Sequence, residues 1–458
     1  MGVLSHHAAT PHGLRLAIEH AMKRGQGRFV ICTSTLAQGV NFPIRYLIIT
    51  TTQQGAESIM VRDFHNLMGR AGRAGMHTEG SVIFSSPLIF DERGPTKDGW
   101  KWAAAKHLLD ASNSEPSRSG LLKLFTPYEQ RGVPPVVQEM RAEWLDLAFA
   151  DQDRIDEIVA AALAIQPNIT VSQFRPYIEE RARAIQQVAA FLVANMDFND
   201  PAADARVLEL ARHTLGYHLA DDANRRVLLE VFKMIAASIR ARADGDLQAI
   251  IRRSPLPPSI VAALQAWVVA NTGAMIEAAL DGTLLALIGG ITLPHASDSS
   301  IRRMSDRAAL PRLLAAWVDG LTYEQLFAIM TEENIKVSGR NPTIEDAVSL
   351  GDGGFGYDVA MLIAAITDLV EPLDGNLHMA LGQLQKQVKH GLTLPSAIAM
   401  HEAGFSDRVV ATTLGVIWPL ATDRASVRAA CRAPDDAMED VLQIFPEYFS
   451  VVAEELRR

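Results

Sequence analysis

Apolar residues recur at two different spacings along this chain, and the change from one to the other falls near residue 95. Before it, short β-branched and aromatic runs alternate with amphipathic stretches. "LRLAIEHAMKR" sets Leu14, Ala17, Ile18, Ala21 and Met22 at helical spacing, with Thr10 as the predicted N-cap, Pro11 as first helical residue and Gly25 past the end. "RFVICT" (28–33), "RYLIITT" (45–51) and "GSVIFSS" (80–86) read as buried strands, and "SIMVRDFHNLMGR" (58–70) as a second amphipathic helix. This alternation predicts βαβ units and a parallel sheet, with ligands beyond the carboxyl ends of its strands.

Past residue 95 the strand signal fades and amphipathic helices follow one another, among them "DQDRIDEIVAAALAIQ", "FRPYIEERARAIQQVAAFLVANM" and "ANRRVLLEVFKMIAASIRARA". The predicted class is therefore α/β followed by mainly α. The most apolar stretch, residues 259–291, is broken by Gln265, Asn271, Glu277 and Asp281, which favours a buried helix pair over a membrane span. The glycine-dense "SLGDGGFGYD" (349–358) reads as a helix–helix connector, and no fixed-period repeat is present.

A length of 458 residues predicts two to three domains. Only Cys32 and Cys431 are present, which excludes a disulfide framework and a CxxC metal site and fits a reducing compartment. His6 and His7 lack a third and fourth ligand, so no metal is expected; they are predicted to cap and pack the loop before the first helix. "MGVLSHHAATPHG" shows no secretory pattern, and a cytoplasmic location without a membrane is expected. Net charge is −10, but residues 1–90 hold eight Lys/Arg against four acids, giving +4 there and −14 in the remaining 368. A basic segment thus adjoins an acidic helical body. Within that body "RRS" (252–254), "IRRMSDR" (301–307) and "KQVKHG" (386–391) are candidate backbone contacts or solvated helix faces.

The chemistry concentrates in "FHNLMGRAGRAG" (64–75) and "TSTLAQGVN" (33–41). Arg70 and Arg73, three apart at a helix end, can converge on one anion, and the glycines allow close backbone approach. The competing reading is a C-cap at Gly75 with solvated arginines. Thr33, Ser34 and Thr35 follow a strand and open a helix, where free N–H groups and hydroxyls favour anions; plain capping by Ser34 or Thr35 is the alternative.

"FVICTSTLAQGVNFPIRYLII" followed by "DFHNLMGRAGRAG" resembles motifs V and VI of superfamily 2 DExD/H-box helicases, within them the Ski-like branch; "SHHAATPHGLRLAIEHAMKRG" resembles the stretch before motif V. The resemblance covers about seventy residues. It implies a partial second RecA-like lobe over residues 1–92, a helical or winged-helix-like connector over 93–200 and a helical domain over 201–458 that tracks the strand. It places Thr33, with Ser34 and Thr35 beside it, on the nucleic-acid backbone. It places Gly39 and Asn41 by the nucleotide and its ribose, where many relatives have Asp in place of Asn41. Arg70 and Arg73 fall on the triphosphate, Arg73 as the arginine finger, with Asn66 where the family usually has Gln.

No GxxxxGK[ST] loop and no DExD/H box occur in the sequence. The resemblance therefore implies that the ATP cradle and the Mg²⁺ ligands lie on an N-terminal RecA-like lobe, in cis or in trans, and that the opening strands of the second lobe lie outside this sequence. Two functions follow. One is the C-terminal part of an ATP-dependent helicase acting on single-stranded or partly duplex DNA or RNA. The other is a non-catalytic nucleic-acid-binding or scaffold protein of helicase ancestry.

Overall fold

A computed structural model of the protein describes residues 2–7, 9–33, 44–54, 57–72, 79–126, 128–130, 133–136, 147–150, 152–165, 170–433 and 436–458. Its chain divides into two compact units interleaved in sequence: Met1–Pro116, Asp298–Gly356 and Lys386–Arg458 form the first, Ser117–Ser297 and Tyr357–Gln385 the second.

The first unit opens with small parallel sheets, as the alternation predicts. Strand β1 (Val3–His6) pairs in parallel with β2 (Phe29–Cys32), and helix α1 (His12–Lys23) lies between them in sequence. Strand β3 (Tyr46–Ile49) pairs in parallel with β6 (Ser81–Phe84), enclosing a short antiparallel pair, β4 (Gln53–Gln54) and β5 (Glu57–Ser58), and helix α2 (Val61–Met68). Helices α3 (Leu88–Asp91) and α4 (Gly99–Leu109) follow.

Side-chain alternation sorts the strands into two faces. Ile49 joins Val61, Phe64 and Leu108 in one core, against which Leu47, Val82 and Phe84 pack. Phe64 and Phe84 stack with ring centroids 6.0 Å apart. The opposite positions, Val3, Phe29 and Ile31 on the first pair and Tyr46, Ile48 and Ile83 on the second, are exposed. Parallel sheets are ordinarily covered on both faces.

Several local expectations are corrected. His6 is not a loop residue: it ends β1, is buried, and its Nε2 lies 3.2 Å from Glu19 Oε1. Thr10 does not cap α1; Pro11 holds that place, and the Thr10 hydroxyl accepts from His7 N–H at 3.2 Å. The second helix begins at Val61 rather than residue 58 because Glu57 and Ser58 pair in β5.

The glycine-dense segment 349–358 is no connector. Ser349–Val359 is a π-helix, continuous with the α-helices Ile344–Val348 and Ala360–Val370. Trp317, whose indole donates to Val388 O at 2.7 Å, explains the glycine at 351: a Cβ there would meet its ring at 2.5 Å. The Arg408 guanidinium sits 3.8 Å from that ring centroid and donates to Trp317 O and Gly391 O.

The second unit carries an antiparallel pair, β7 (Tyr128–Gln130) with β8 (Val133–Val136), and its other elements among the described residues are helices. Val171–Asn195 buries Ile178, Ile185, Val188 and Leu192 on one face. Pro258–Asp281 buries Val261, Leu264, Val268, Met275 and Ala278, and leaves Val269 and Leu280 72% and 86% exposed. The predicted buried pair is thus buried along one stripe only. Pro258–Asp281 and Ile344–Val370 are both long and apolar enough to cross a membrane by length and composition; 22% and 67% of their most apolar windows are buried inside the protein.

Candidate nucleotide and nucleic-acid contacts

The helix of the arginine motif is positioned by its apolar side. Val61, Phe64 and Leu67, three apart, are buried, while Asn66 points to solvent. Its N-terminus is closed by a residue from far along the chain. Glu115 accepts from the N–H groups of Val61 at 2.9 Å and Arg62 at 3.3 Å. Its own backbone N–H, and then these bonds, hold the carboxyl below its ordinary range, as expected for an acid at a helix N-terminus. Nothing in the sequence marks Glu115, which stands in a Ser- and Pro-bearing connector without periodicity.

The helix ends at Met68, with Gly69 as C-cap donating to His65 O at 2.9 Å. Arg70 therefore stands beyond the helix, half-buried, its N–H bonded to Leu67 O at 3.0 Å. The chain then turns into the sheet. Ala71 bridges Ile44 in parallel, and Gly72 N–H donates to Ile44 O at 2.9 Å.

Gly72 has φ +74°, and a Cβ on it would lie 2.4 Å from Gly80 N. A Cβ on Gly80 would meet Gly72 N at 2.3 Å. The glycine at 72 thus serves backbone against backbone, not clearance for a ligand. The spacing argument that set Arg70 and Arg73 on one helix face does not apply, since Arg70 already lies outside the helix. Arg73 and Gly75 lie outside the described residues.

Thr33 follows the last residue of β2 and is exposed at the carboxyl end of that strand. Ser34, Thr35, Gly39 and Asn41 lie outside the described residues. Of the eight predicted contacts the structure thus describes Thr33, Asn66 and Arg70. They do not share one strand end: Thr33 leaves β2 at its carboxyl end, while Arg70 and Ala71 meet the chain just before β3 begins.

A cavity of about 260 Å³ opens at the carboxyl ends of β3 and β6, where Thr50, Thr51, Thr52, Gln53, Ser86 and Lys101 bring hydroxyls, an amide and a cation together. Sequence reasoning did not single these out, although "TTQQ" directly after a strand carried the signal. Lys101 Nζ is 3.0 Å from Asp98.

All three basic clusters have intramolecular partners, Arg303 of the second donating to Ser299 O at 3.1 Å. Arg252 donates to Val193 O and Met196 O at 3.0 and 3.1 Å, closing the end of Val171–Asn195, and Lys386 pairs with Glu402 at 3.2 Å. Among the described residues no group of three or more His, Cys, Asp or Glu could hold a metal ion.

Comparison with known proteins falls on the same segment. Residues 1–75 match the helicase conserved C-terminal domain. The Hachiman protein HamB of Bacillus cereus is 35% identical over 85 residues, which are 18% of this chain and 8% of HamB. ATP-dependent DNA helicase Hel308 of Aeropyrum pernix is 37% identical over 86 residues, 18% of this chain and 12% of its own length. Human helicase POLQ-like is 38% identical over 92 residues, 20% of this chain and 8% of its own. The chain thus covers about a tenth of each relative. Over residues 1–75 the chain is similar to the helicase conserved C-terminal domain and to the helicases Hel308 and POLQ-like.

Proposed function

We propose that the chain supplies the second RecA-like lobe and an attached helical region to an ATP-dependent helicase acting on single-stranded or partly duplex DNA or RNA in the cytoplasm. Thr33, Ser34 and Thr35 would hold the strand backbone. Gly39, Asn41, Asn66, Arg70 and Arg73 would face ATP, with Arg73 as the arginine finger. The phosphate loop and the Mg²⁺ ligands would come from an N-terminal RecA-like lobe, in the same or another polypeptide.

The observation that carries this reading is the match over residues 1–75, which spans both motifs. The turn after α2 supports it. Backbone hydrogen bonds of Gly69, Arg70 and Gly72 fix the chain here, so the Cα of Arg70 is set relative to the sheet rather than carried on a frayed helix end. That Thr33 and Arg70 stand at different strand ends fits two ligands, a strand and a nucleotide, better than one.

The test is ATP hydrolysis by the 458-residue chain, alone and with an N-terminal RecA-like lobe bearing a phosphate loop and DExH box, with single-stranded DNA or RNA added. Hydrolysis is expected only with the lobe present, stimulated by the strand. Arg73→Ala and Arg70→Ala should each lower it, by about 10³-fold for the finger. Strand binding without stimulated hydrolysis in any combination would favour the non-catalytic scaffold. Robust hydrolysis by the chain alone would overturn the division of labour.

A further inference from the structure

The second unit holds a groove that the helicase reading does not use. Helices Gly245–Arg253 and Pro258–Asp281 and the end of Ala360–Val370 enclose about 600 Å³. Its floor is apolar, from Ala249, Ile250, Val268, Val269, Leu369 and Leu373. Its rim is acidic, with Asp246, Asp368 and Glu371 against the single cation Arg253. Among the described residues none of these carboxylates has an ion-pair partner, and the Arg253 guanidinium donates to Ala249 O at 3.4 Å. Three exposed acids around an apolar floor give the rim a negative field that favours a cationic partner.

The floor does not end with the groove. Val269, Ile276 and Leu280 share one face of Pro258–Asp281 and are 72%, 37% and 86% exposed, beside the stripe that forms the core. From Val269 to Leu280 the helix rises about 16 Å, so the apolar track is about three turns long.

We propose that this groove binds an amphipathic α-helix of a protein partner, apolar on one side and flanked by Lys or Arg. A helix satisfies its own backbone hydrogen bonds and can lay side chains one or two turns apart into the track, while its flanking cations pair with Asp246, Asp368 and Glu371. The same acids disfavour the other occupants of an apolar face. They repel an anionic bilayer surface, and a two-fold pairing of this face would set carboxylates against carboxylates.

The probe is a labelled synthetic amphipathic helix of leucine and lysine, about five turns long, with a glutamate-for-lysine counterpart as control. Fluorescence anisotropy should show saturable binding of the lysine helix and none of the glutamate helix. Hydrogen exchange should slow in residues 245–253, 258–281 and 368–373. The triple variant Asp246→Lys, Asp368→Lys, Glu371→Lys should weaken binding at least about tenfold, since attraction becomes repulsion at the rim. Val269→Ser with Leu373→Ser should do likewise; both variants lie at exposed positions, and circular dichroism checks that they fold. Equal binding by both variants, protection confined to other residues, dimerisation of the free chain through this face, or preference for phosphatidylglycerol vesicles over the peptide would each overturn the proposal.

Discussion

Gly72 answers to two constraints at once, a left-handed φ of +74° and a Gly80 backbone that leaves no room for a Cβ. Gly72→Ala should therefore destabilise the first unit by about 1–3 kcal/mol, read as a lowered urea midpoint, with the strand registry around Ile44 disturbed. Asn66→Gln, on the exposed side of α2, should change stability by less than about 0.5 kcal/mol, so any effect on nucleotide affinity can be read without correction. At this scale the sequence singles out the arginines because charge among glycines is unusual. The task of the glycine was not legible, because the segment that crowds it arrives eight residues later from a different strand.

Among the elements, a histidine cluster in the first unit makes the clearest demand on solution conditions. The rings of His390 and His401 stand 4.6 Å apart, and His390 Nε2 is 3.4 Å from Glu402. Burial, then the neighbouring His390, His12 and Arg408, pushes His401 down to about 3. Burial also lowers His390 and His12. Histidines in an unfolded chain titrate near 6.5, so on acidification the unfolded state takes up protons first. Their contribution to stability is whole above that pH and is lost as pH falls from about 6.5 towards 3. The urea midpoint should accordingly drop between pH 7.5 and pH 5, and His401→Gln should flatten the slope; a midpoint that rises on acidification would contradict this. Element type was legible in α1 from its periodicity and in β2, β3 and β6 from their β-branched runs. The burial expected of those strands is corrected: Phe29, Ile31, Tyr46, Ile48 and Ile83 are exposed. The sequence pattern failed for β1, whose "VLSH" is too short and polar to read as a strand. It failed again at the π-helix, where glycine's usual meaning as a breaker was overridden by the ring of Trp317.

At the scale of the whole chain, the parallel strands followed by helices were legible, but the interleaving of the two units was not. Composition along a sequence does not record which distant segments share a core. The first unit draws its last part from Lys386–Arg458. Within it Arg24 and Gln26 donate to the Glu447 carboxylate at 3.0 and 2.8 Å, and a Cβ on Gly13 would meet Ser406 O at 2.5 Å. Deleting residues 386–458 should therefore unfold the parallel sheets of residues 1–84 while sparing the second unit's helices, as hydrogen exchange would show. Retained protection in β1, β2 and α1 would refute it.

That closure between Gln26 and Glu447, 421 residues apart, sets an order of events during synthesis. The strands of residues 3–49 leave the ribosome before the helices of residues 386–458 that complete their unit. Until those helices arrive, the side of α1 that carries Gly13 and His20, later met by Ser406 and Tyr448, is open to solvent and to chaperones. The second unit, flanked on both sides by segments of the first, has most of its residues free to fold in the interval.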